Sequence, residues 1–232
     1  MIENCTVRRI KREDTRTFLY FIHYARRMPQ ITYAFGLFEN NNLIGVCTFG
    51  YPASPSLIKS LLKDSENKIL LELNRLCLKP EYNGKNYGSY FVSKCLKLLP
   101  NETYVVSYAD SGWSHCGYVY QATNWLYTGK QEERFAKYCN GKHARHQERF
   151  DSEYKQLISS KYRYIYMVGD KRTKKDMLKN IKCEIFNEYP KVEEVKYDVN
   201  NPQPVDKRLN KPLTKNHEII EVEDDENKLF DL

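Results

Sequence analysis

Three side chains in this sequence carry more chemistry than their surroundings account for: Arg75, Asp110 and Tyr120. Arg75 alternates in phase with Leu71, Leu73 and Cys77, so a guanidinium falls on an otherwise apolar strand face, where burial without a partner is costly. Asp110 closes a second apolar run, 103–109, just before the loop Ser111-Gly112-Trp113-Ser114-His115-Cys116. In an open sheet, ligands collect at the carboxyl ends of parallel strands, which is where both residues stand. A guanidinium there can hold a carbonyl oxygen or a phosphate, and a carboxylate can take a proton. A structural ion pair between the two is the alternative. Tyr120 forms a polar stripe with Asn124 and Tyr127 beside Val119, Ala122, Thr123 and Leu126. Its hydroxyl can protonate a leaving group, or the stripe is a plain helix shoulder.

A further candidate is the turn Tyr82-Asn83-Gly84-Lys85-Asn86-Tyr87-Gly88, which opens a helix with Tyr87, Phe91, Cys95 and Leu98 on one stripe. Backbone N–H groups at a helix start face outward, so Lys85, Asn86, Gly88 and Ser89 can cradle a pyrophosphate or phosphopantetheine. An ordinary turn and helix start would use the same residues. His115 and Cys116 are too few to make a metal site, and none is expected. The seven cysteines (5, 47, 77, 95, 116, 139 and 183) stand singly, without a C-x-x-C pair, and are expected to be reduced thiols of a cytoplasmic protein. No run approaches the roughly 18 apolar residues of a membrane span.

The elements that position these groups follow from hydrophobic period and turn chemistry. A strand over 5–10 leads to a helix that Asp14 or Thr15 caps and Pro29 stops. Strands over 31–38 and 43–49 flank the turn Glu39-Asn40-Asn41-Asn42 as a hairpin. A short helix over 56–63 precedes a strand over 69–78 too apolar for a sheet edge; a helix over 85–98, a strand over 103–109 and a helix over 117–127 follow. Strand, helix, strand implies parallel pairing with a right-handed crossover. An aromatic strand over 161–168 and a basic helix over 173–181 end the ordered part.

Charge is unevenly spread. Of the formal +7, the stretch 130–182 alone carries about +8, with 15 Lys and Arg against 7 Asp and Glu. Lys171, Arg172, Lys174 and Lys175 are its densest cluster and are suited to nucleic-acid phosphates, although a solvated surface looks the same. Residues 1–190 are expected to form one catalytic domain that includes this basic region. The acidic, proline-containing tail 191–232 is expected to be disordered.

At Glu72-Leu73-Asn74-Arg75-Leu76, at Ser107-Tyr108-Ala109-Asp110, and most extensively at Gly117-Tyr118-Val119-Tyr120-Gln121-Ala122-Thr123-Asn124-Trp125-Leu126-Tyr127-Thr128-Gly129, the sequence resembles the Mom family of phage DNA-modification proteins. The likeness continues through Lys161-Tyr162-Arg163-Tyr164-Ile165-Tyr166 and Gly169-Asp170-Lys171-Arg172. It implies a GNAT-like acyltransferase fold, an α/β architecture whose central mixed sheet is splayed and flanked by helices. It also implies modification of adenine N6 in double-stranded DNA to an N6-carbamoylmethyl-type base, protecting the DNA from restriction in the cytoplasm of an infected or lysogenic bacterial host.

In that setting Asp110 is the expected base, Arg75 the clamp for developing negative charge and Tyr120 the acid for the leaving group. Asn74, Trp113, His115 and Asn124 complete the expected substrate contacts, with Trp113 stacking on a flipped-out base or else closing the core. The usual GNAT loop for acyl-CoA is met only loosely by Lys85-Asn86-Tyr87-Gly88-Ser89-Tyr90. Acyl-CoA and a glycyl donor such as an aminoacyl-tRNA both stay open. Two other functions fit the same residues: an acyltransferase for a small amine or an aminoacyl-tRNA, and a non-catalytic DNA-binding protein that shields sites by occupancy.

Overall fold

A computed structural model of the chain describes residues 2–137, 154–192, 204–206 and 211–212. Two compact units divide it, one from residues 1–132 and 159–200 and the other from 133–158 and 201–232. In the first, β1 (Cys5–Arg9), β2 (Tyr33–Glu39), β3 (Asn42–Gly50), β4 (Ile69–Leu78), β5 (Thr103–Asp110), β6 (Leu126–Gln131) and the later strand Lys161–Met167 build a seven-stranded sheet. In the second, β7 (Arg134–Lys137), β8 (Tyr154–Ile158), β10 (Pro204–Asp206) and β11 (Lys211–Pro212) pair antiparallel in the order β11-β10-β8-β7. With Lys161–Met167 as β9, the large sheet runs β1-β2-β3-β4-β5-β9-β6. Only β4 and β5 are parallel in it, joined by the crossover helix α2 (Tyr87–Leu96). This is the mixed α/β class expected from the sequence. In the tail, β10 and β11 are strands, and the rest of 193–232 lies outside the described residues, as do 138–153 with Lys142, His143, Arg145, His146 and Arg149 of the basic stretch.

Strand alternation sorts the core into two faces. Phe35, Leu37, Cys47, Phe49, Leu71, Leu73, Val105, Ala109, Tyr162 and Tyr164 meet α2 residues Tyr87, Phe91, Val92 and Cys95 on the first. On the second face, Leu70, Tyr104, Val106, Ile165 and Met167 are covered by Leu61 of α1 (Leu57–Leu61) and Met177 of α4 (Lys171–Lys179). Farther along that face, Phe18 and Leu19 cover Val46 and Cys77.

Two departures from the expected elements reshape the site. The helix expected from residue 14 or 15 to 27 is a 3-10 turn, Glu13–Thr15, and a π-helical turn, Phe18–Ile22, after which His23 is extended. The helix expected over 117–127 stops early as α3 (Tyr118–Ala122): Asn124 takes a positive φ of 60°, Trp125 is buried, and Leu126 pairs with Ile165 as strand β6. Apolar spacing continued past the real stop because a strand was supplying it.

Candidate functional site

At Thr48/Phe49 the β3–β4 register shifts, pairing Thr48 with Arg75 and Phe49 with Leu73, so Asn74 is an extra, unpaired residue. A bulge of this kind flips the side-chain phase. Leu71 and Leu73 lie on the first face, and beyond the bulge it is Leu76 and Leu78 that pack there. Arg75 therefore leaves the Leu71/Leu73 face on which simple alternation puts it. It shares the second face with Cys77, which packs against Phe18, Leu19 and Val46. Asn74 fixes the bulge: its Oδ1 accepts from Thr48 Oγ1 (2.6 Å) and its Nδ2 donates to the Gln30 carbonyl (2.9 Å).

Just past the bulge the sheet forks. The β4–β5 pairing runs from Ile69↔Thr103 to Glu72↔Val106 and then ends. Ser107 lies at the crotch, with Oγ 2.9 Å from the Leu73 carbonyl and 2.7 Å from the Tyr120 hydroxyl. A serine has one proton. When Ser107 donates to Leu73, Tyr120 is the donor of the second bond; when it donates to Tyr120, the phenol proton is free for another acceptor. Burial raises the Tyr120 pKa, partly offset by the Ser107 bond, so the phenol stays protonated at neutral pH.

Around the fork the second face carries Glu72, Arg75, Tyr108, Asp110 and Lys161. Arg75 donates from Nη1 to the Asn74 carbonyl (2.6 Å), and its buried Nε has no hydrogen-bond partner among the described residues. Its pKa is lowered by desolvation and by Arg27, with Tyr24 and Glu72 opposing. No ion pair joins Arg75 to Asp110 among the described residues. Asp110 instead pairs with Lys161 (3.0 Å), its partner across the β5–β9 register, while accepting from the Gly112 N–H (3.0 Å) and the Ser159 hydroxyl. It also caps the 3-10 turn Ser111–Trp113. Glu72 has its pKa raised by desolvation, with Arg75 and Lys161 pulling it back, and Tyr108 is pushed up to about 12 by burial and then by Glu72.

An aromatic group closes this face. Tyr24 lies 4.5 Å from the Trp113 ring, 5.9 Å from His115 and 4.3 Å from His23. Desolvation and Asp110 raise the Tyr24 hydroxyl, whereas Arg75 and Arg27 pull it down. Tyr24 thus feels the charges of both Asp110 and Arg75. His23 is buried and accepts the Ala25 N–H at Nδ1 (3.0 Å); burial, then Arg75, then His115 lower its pKa to about 3. The ring is neutral, and with Nδ1 accepting, Nε2 carries the proton. Desolvation also lowers His115, against Asp110.

The glycine-loop residues lie elsewhere. Asn86 has a positive φ of 63° before α2, and no side chain caps the helix. A cavity of about 450 Å³ there is lined by Asn86, Ser89, Tyr90, Ser93, Asn124 and Tyr166, among others. Gly88 does a packing job: a Cβ on it would meet Val119 of α3 at 3.3 Å. Lys174 of α4 is bonded to the Tyr166 hydroxyl (2.7 Å) and lies over its ring, whereas Lys171, Arg172 and Lys175 are exposed. Asn124 thus shares a cavity with Asn86 and Ser89, and is not grouped with Trp113 and His115.

The sequence profile of the Mom protein family matches residues 4–191. The chain belongs to the Mom protein family. It is 32% identical over 124 residues to the methylcarbamoylase mom of Escherichia phage Mu, an alignment covering 52% of each chain; it thus spans about half the length of the curated relative it matches. Among solved structures it is similar to Arabidopsis thaliana NAA60 in complex with acetyl-CoA (11% identity, TM-score 0.49, 71% of this chain and 99% of that chain). It is also similar to spermidine N-acetyltransferase from Vibrio cholerae in complex with CoA and spermine (13% identity, TM-score 0.47, 72% and 96%).

In this Mom-family chain the fork gathers Asn74, Arg75, Asp110, Trp113, His115 and Tyr120, all selected from sequence. It adds His23, Tyr24, Glu72, Ser159 and Lys161, which sequence reasoning passed over. His23 and Tyr24 were hidden inside an expected helix. Lys161 faces Asp110 through a strand pairing that no local pattern encodes. Glu72 had a visible signal, since an acid two residues before the bulge interrupts an apolar strand. Trp113 packs on Tyr24 outside the three core clusters, so it does not close the core. No helix among the described residues is long and apolar enough to cross a membrane.

Proposed function

We propose that this chain modifies the N6 amino group of adenine in double-stranded DNA, by acyl-transfer chemistry yielding an N6-carbamoylmethyl-type base, and thereby protects that DNA from restriction in the cytoplasm of an infected or lysogenic bacterial host. The observation that carries this reading is the fork itself: a guanidinium with an unpartnered Nε, an ion-paired carboxylate and a protonated phenol meet where β4 and β5 part. Family membership and the likeness to a methylcarbamoylase support it.

The adenine N6 lone pair is delocalised into the ring, so the site must place N6 closely and remove a proton as attack proceeds. Asp110 has three donors on its two oxygens, which leaves one lone-pair position to accept an N6–H. Lys161 holds that carboxylate in place. Arg75 offers N–H donors where negative charge develops on a carbonyl oxygen, and Tyr120, linked to Ser107, gives its proton to the leaving group. Tyr24 and Trp113 offer ring faces on which an extruded base can stack.

The donor, an acyl-CoA or a glycyl donor such as an aminoacyl-tRNA, would bring an electrophilic carbonyl carbon: N6 would bond to it as the thiol or ribose hydroxyl leaves with the Tyr120 proton. The N6-glycyl product of a glycyl donor is an isomer of the N6-carbamoylmethyl base, and the latter is reached only by a later rearrangement that moves N6 from the carbonyl carbon to the methylene. The residues present fit a phosphate-bearing donor: the uncapped amides of α2 adjoin a polar cavity with Asn86 and Ser89, and Lys174 reaches Tyr166 on its wall. Lys85 is exposed on the same loop, and Lys171, Arg172 and Lys175 are free to meet DNA phosphates.

Nucleoside mass spectrometry of DNA from bacteria expressing the chain tests the reading. The wild type is expected to yield a heavier deoxyadenosine and DNA resistant to endonucleases whose sites contain adenine. Asp110→Asn is expected to keep DNA binding and lose the modified nucleoside. Resistance without a modified base, persisting in Asp110→Asn, means protection by occupancy. Unmodified, digestible DNA from folded protein leaves a small-amine or aminoacyl-tRNA acyltransferase.

A further inference from the structure

The element over the acceptor side of the fork is the irregular segment that replaces the expected helix. Its π-helical turn anchors Phe18 and Leu19 in the core against Val46 and Cys77 and turns the next residues outward. Phe21 is 75% exposed and Ile22 37%. A single exposed apolar residue is ordinary. This pair, however, lies inside a run, 8–27, with seven cations (Arg8, Arg9, Lys11, Arg12, Arg16, Arg26 and Arg27) against Glu13 and Asp14. Lys11, Arg12, Arg16, Arg26 and Arg27 are all exposed. Two residues beyond Ile22, Tyr24 is 40% exposed and packs on Trp113 of the loop that follows Asp110.

We infer that the segment 16–27 is the element that opens the duplex, with Phe21 wedging into the base stack, Arg26 and Arg27 gripping the flanking phosphates, and the Tyr24–Trp113 pair receiving the extruded adenine. This rests on the base-modification reading above and names the part of the chain that makes it possible on double-stranded DNA, where N6 is hidden in its base pair. Apolar wedges that unstack a base step, cations on the backbone and an aromatic acceptor for the flipped base are the three requirements for such an operation. Here the wedge, the cations and Tyr24 occur within a dozen residues of one another along the chain. Phosphate charge selects DNA as the occupant of this apolar, strongly cationic surface, since a protein partner for Phe21 and Ile22 would need a matching acidic face.

The single-stranded and duplex circular forms of one vector present the adenines of one strand in the same sequence contexts, unpaired in the first and paired in the second. Each is incubated with the purified full-length chain and bacterial extract as donor source, then analysed by nucleoside mass spectrometry. Phe21→Ala is expected to lower duplex modification by about tenfold or more while single-strand modification stays within about twofold, because opening a paired base costs energy that an unpaired one does not need. Phe21→Leu, which keeps an apolar wedge, is expected to stay near wild type on both forms. Arg26→Gln with Arg27→Gln is expected to weaken binding to both and flatten its salt dependence. Duplex modification by Phe21→Ala at the wild-type level overturns the inference, and so does an equal loss on both forms. Modification of neither form by the wild type overturns the base-modification reading, and this inference with it.

Discussion

Acid should destabilise this protein through one buried ring, His23. Its Nδ1 accepts the Ala25 N–H, its side chain is 7% exposed and stacked on Tyr24, and protonation would break that acceptor bond and set a charge near Arg75. Burial, Arg75 and His115 bring its pKa from 6.5 to about 3. Between those values the unfolded chain binds the proton and the folded chain does not, so stability is full above pH 6.5 and falls as pH drops toward 3. Each pH unit in the window costs about 1.4 kcal/mol, and the step from pH 6.5 to 5 roughly 2 kcal/mol. That is a large share of the ~5–15 kcal/mol that holds a domain folded. The control is His23→Asn, whose side-chain oxygen can accept the same N–H two residues on but does not titrate. Urea unfolding at a series of pH values, followed by the fluorescence of buried Trp125, gives the two profiles, and their difference isolates this proton. Wild type is expected to lose roughly 2 kcal/mol relative to His23→Asn over that step. Parallel profiles would mean that the ring opens to water in the folded state, and the neutral, Nε2-protonated His23 beside Tyr24 would have to be abandoned.

Arg75→Ala is expected to abolish modification and Arg75→Lys to lose most of it, on the order of 10²-fold, because an ammonium cannot reproduce the fork of donors at a developing oxyanion; nucleoside mass spectrometry with circular dichroism as a folding control measures both. Burial raises the Glu72 carboxyl, so its neutral form is favoured on folding and its charge is a liability above the folded pKa. Glu72→Gln should therefore raise Tm at pH 7 to 8, with the gain vanishing as pH falls below the unfolded carboxylate value. Neutralising the exposed Lys171, Arg172 and Lys175 is expected to lower the slope of log K against log salt by about 0.9 for each phosphate left without its cation, whatever the DNA sequence. Lys174→Gln alone, on the Tyr166 side of the cavity, should leave that slope nearly unchanged.

How much of this was legible beforehand follows from how local each determinant is. The α2 stripe is a local pattern, and Tyr87, Phe91 and Cys95 are buried as the 3.6 period requires; Leu98 is 51% exposed because the helix ends at Leu96. Apolar runs likewise announced β4 and β5. The face of Arg75 was not legible, because the bulge at Asn74 exists only as two residues of β4 set against one step of β3, and alternation within a single strand cannot show it. The same holds for Asp110, whose ion pair arrives on β9 from far along the chain. The helices expected from 14 or 15 to 27 and over 117–127 carried no stop signal earlier than Pro29 in the first and Tyr127 in the second. A π-helical turn and a positive φ at Asn124 ended them, and both are set by what the chain packs against.

The fork gives these nonlocal features a common consequence. On the proposed reading a group passes from a bulky donor to DNA, and a site open on two faces lets each approach from its own side. Parting β4 from β5 after Glu72↔Val106 makes an opening in the sheet, and the two sets of side chains approach it from different faces. Tyr120 comes from the first face and is tied at the crotch to Ser107 and through it to the Leu73 carbonyl. Arg75 reaches the second face only because the Asn74 bulge reverses its phase, and there it joins Asp110, Tyr24 and Lys161. Without the bulge the guanidinium would point into the apolar core with Leu71 and Leu73, where nothing balances its charge. On the proposed reading, then, the donor lies along α2 and α3 and the base on the Tyr24 side. The one-residue insertion in β4 is what allows a cation on a core strand to serve the acceptor face of an otherwise apolar sheet.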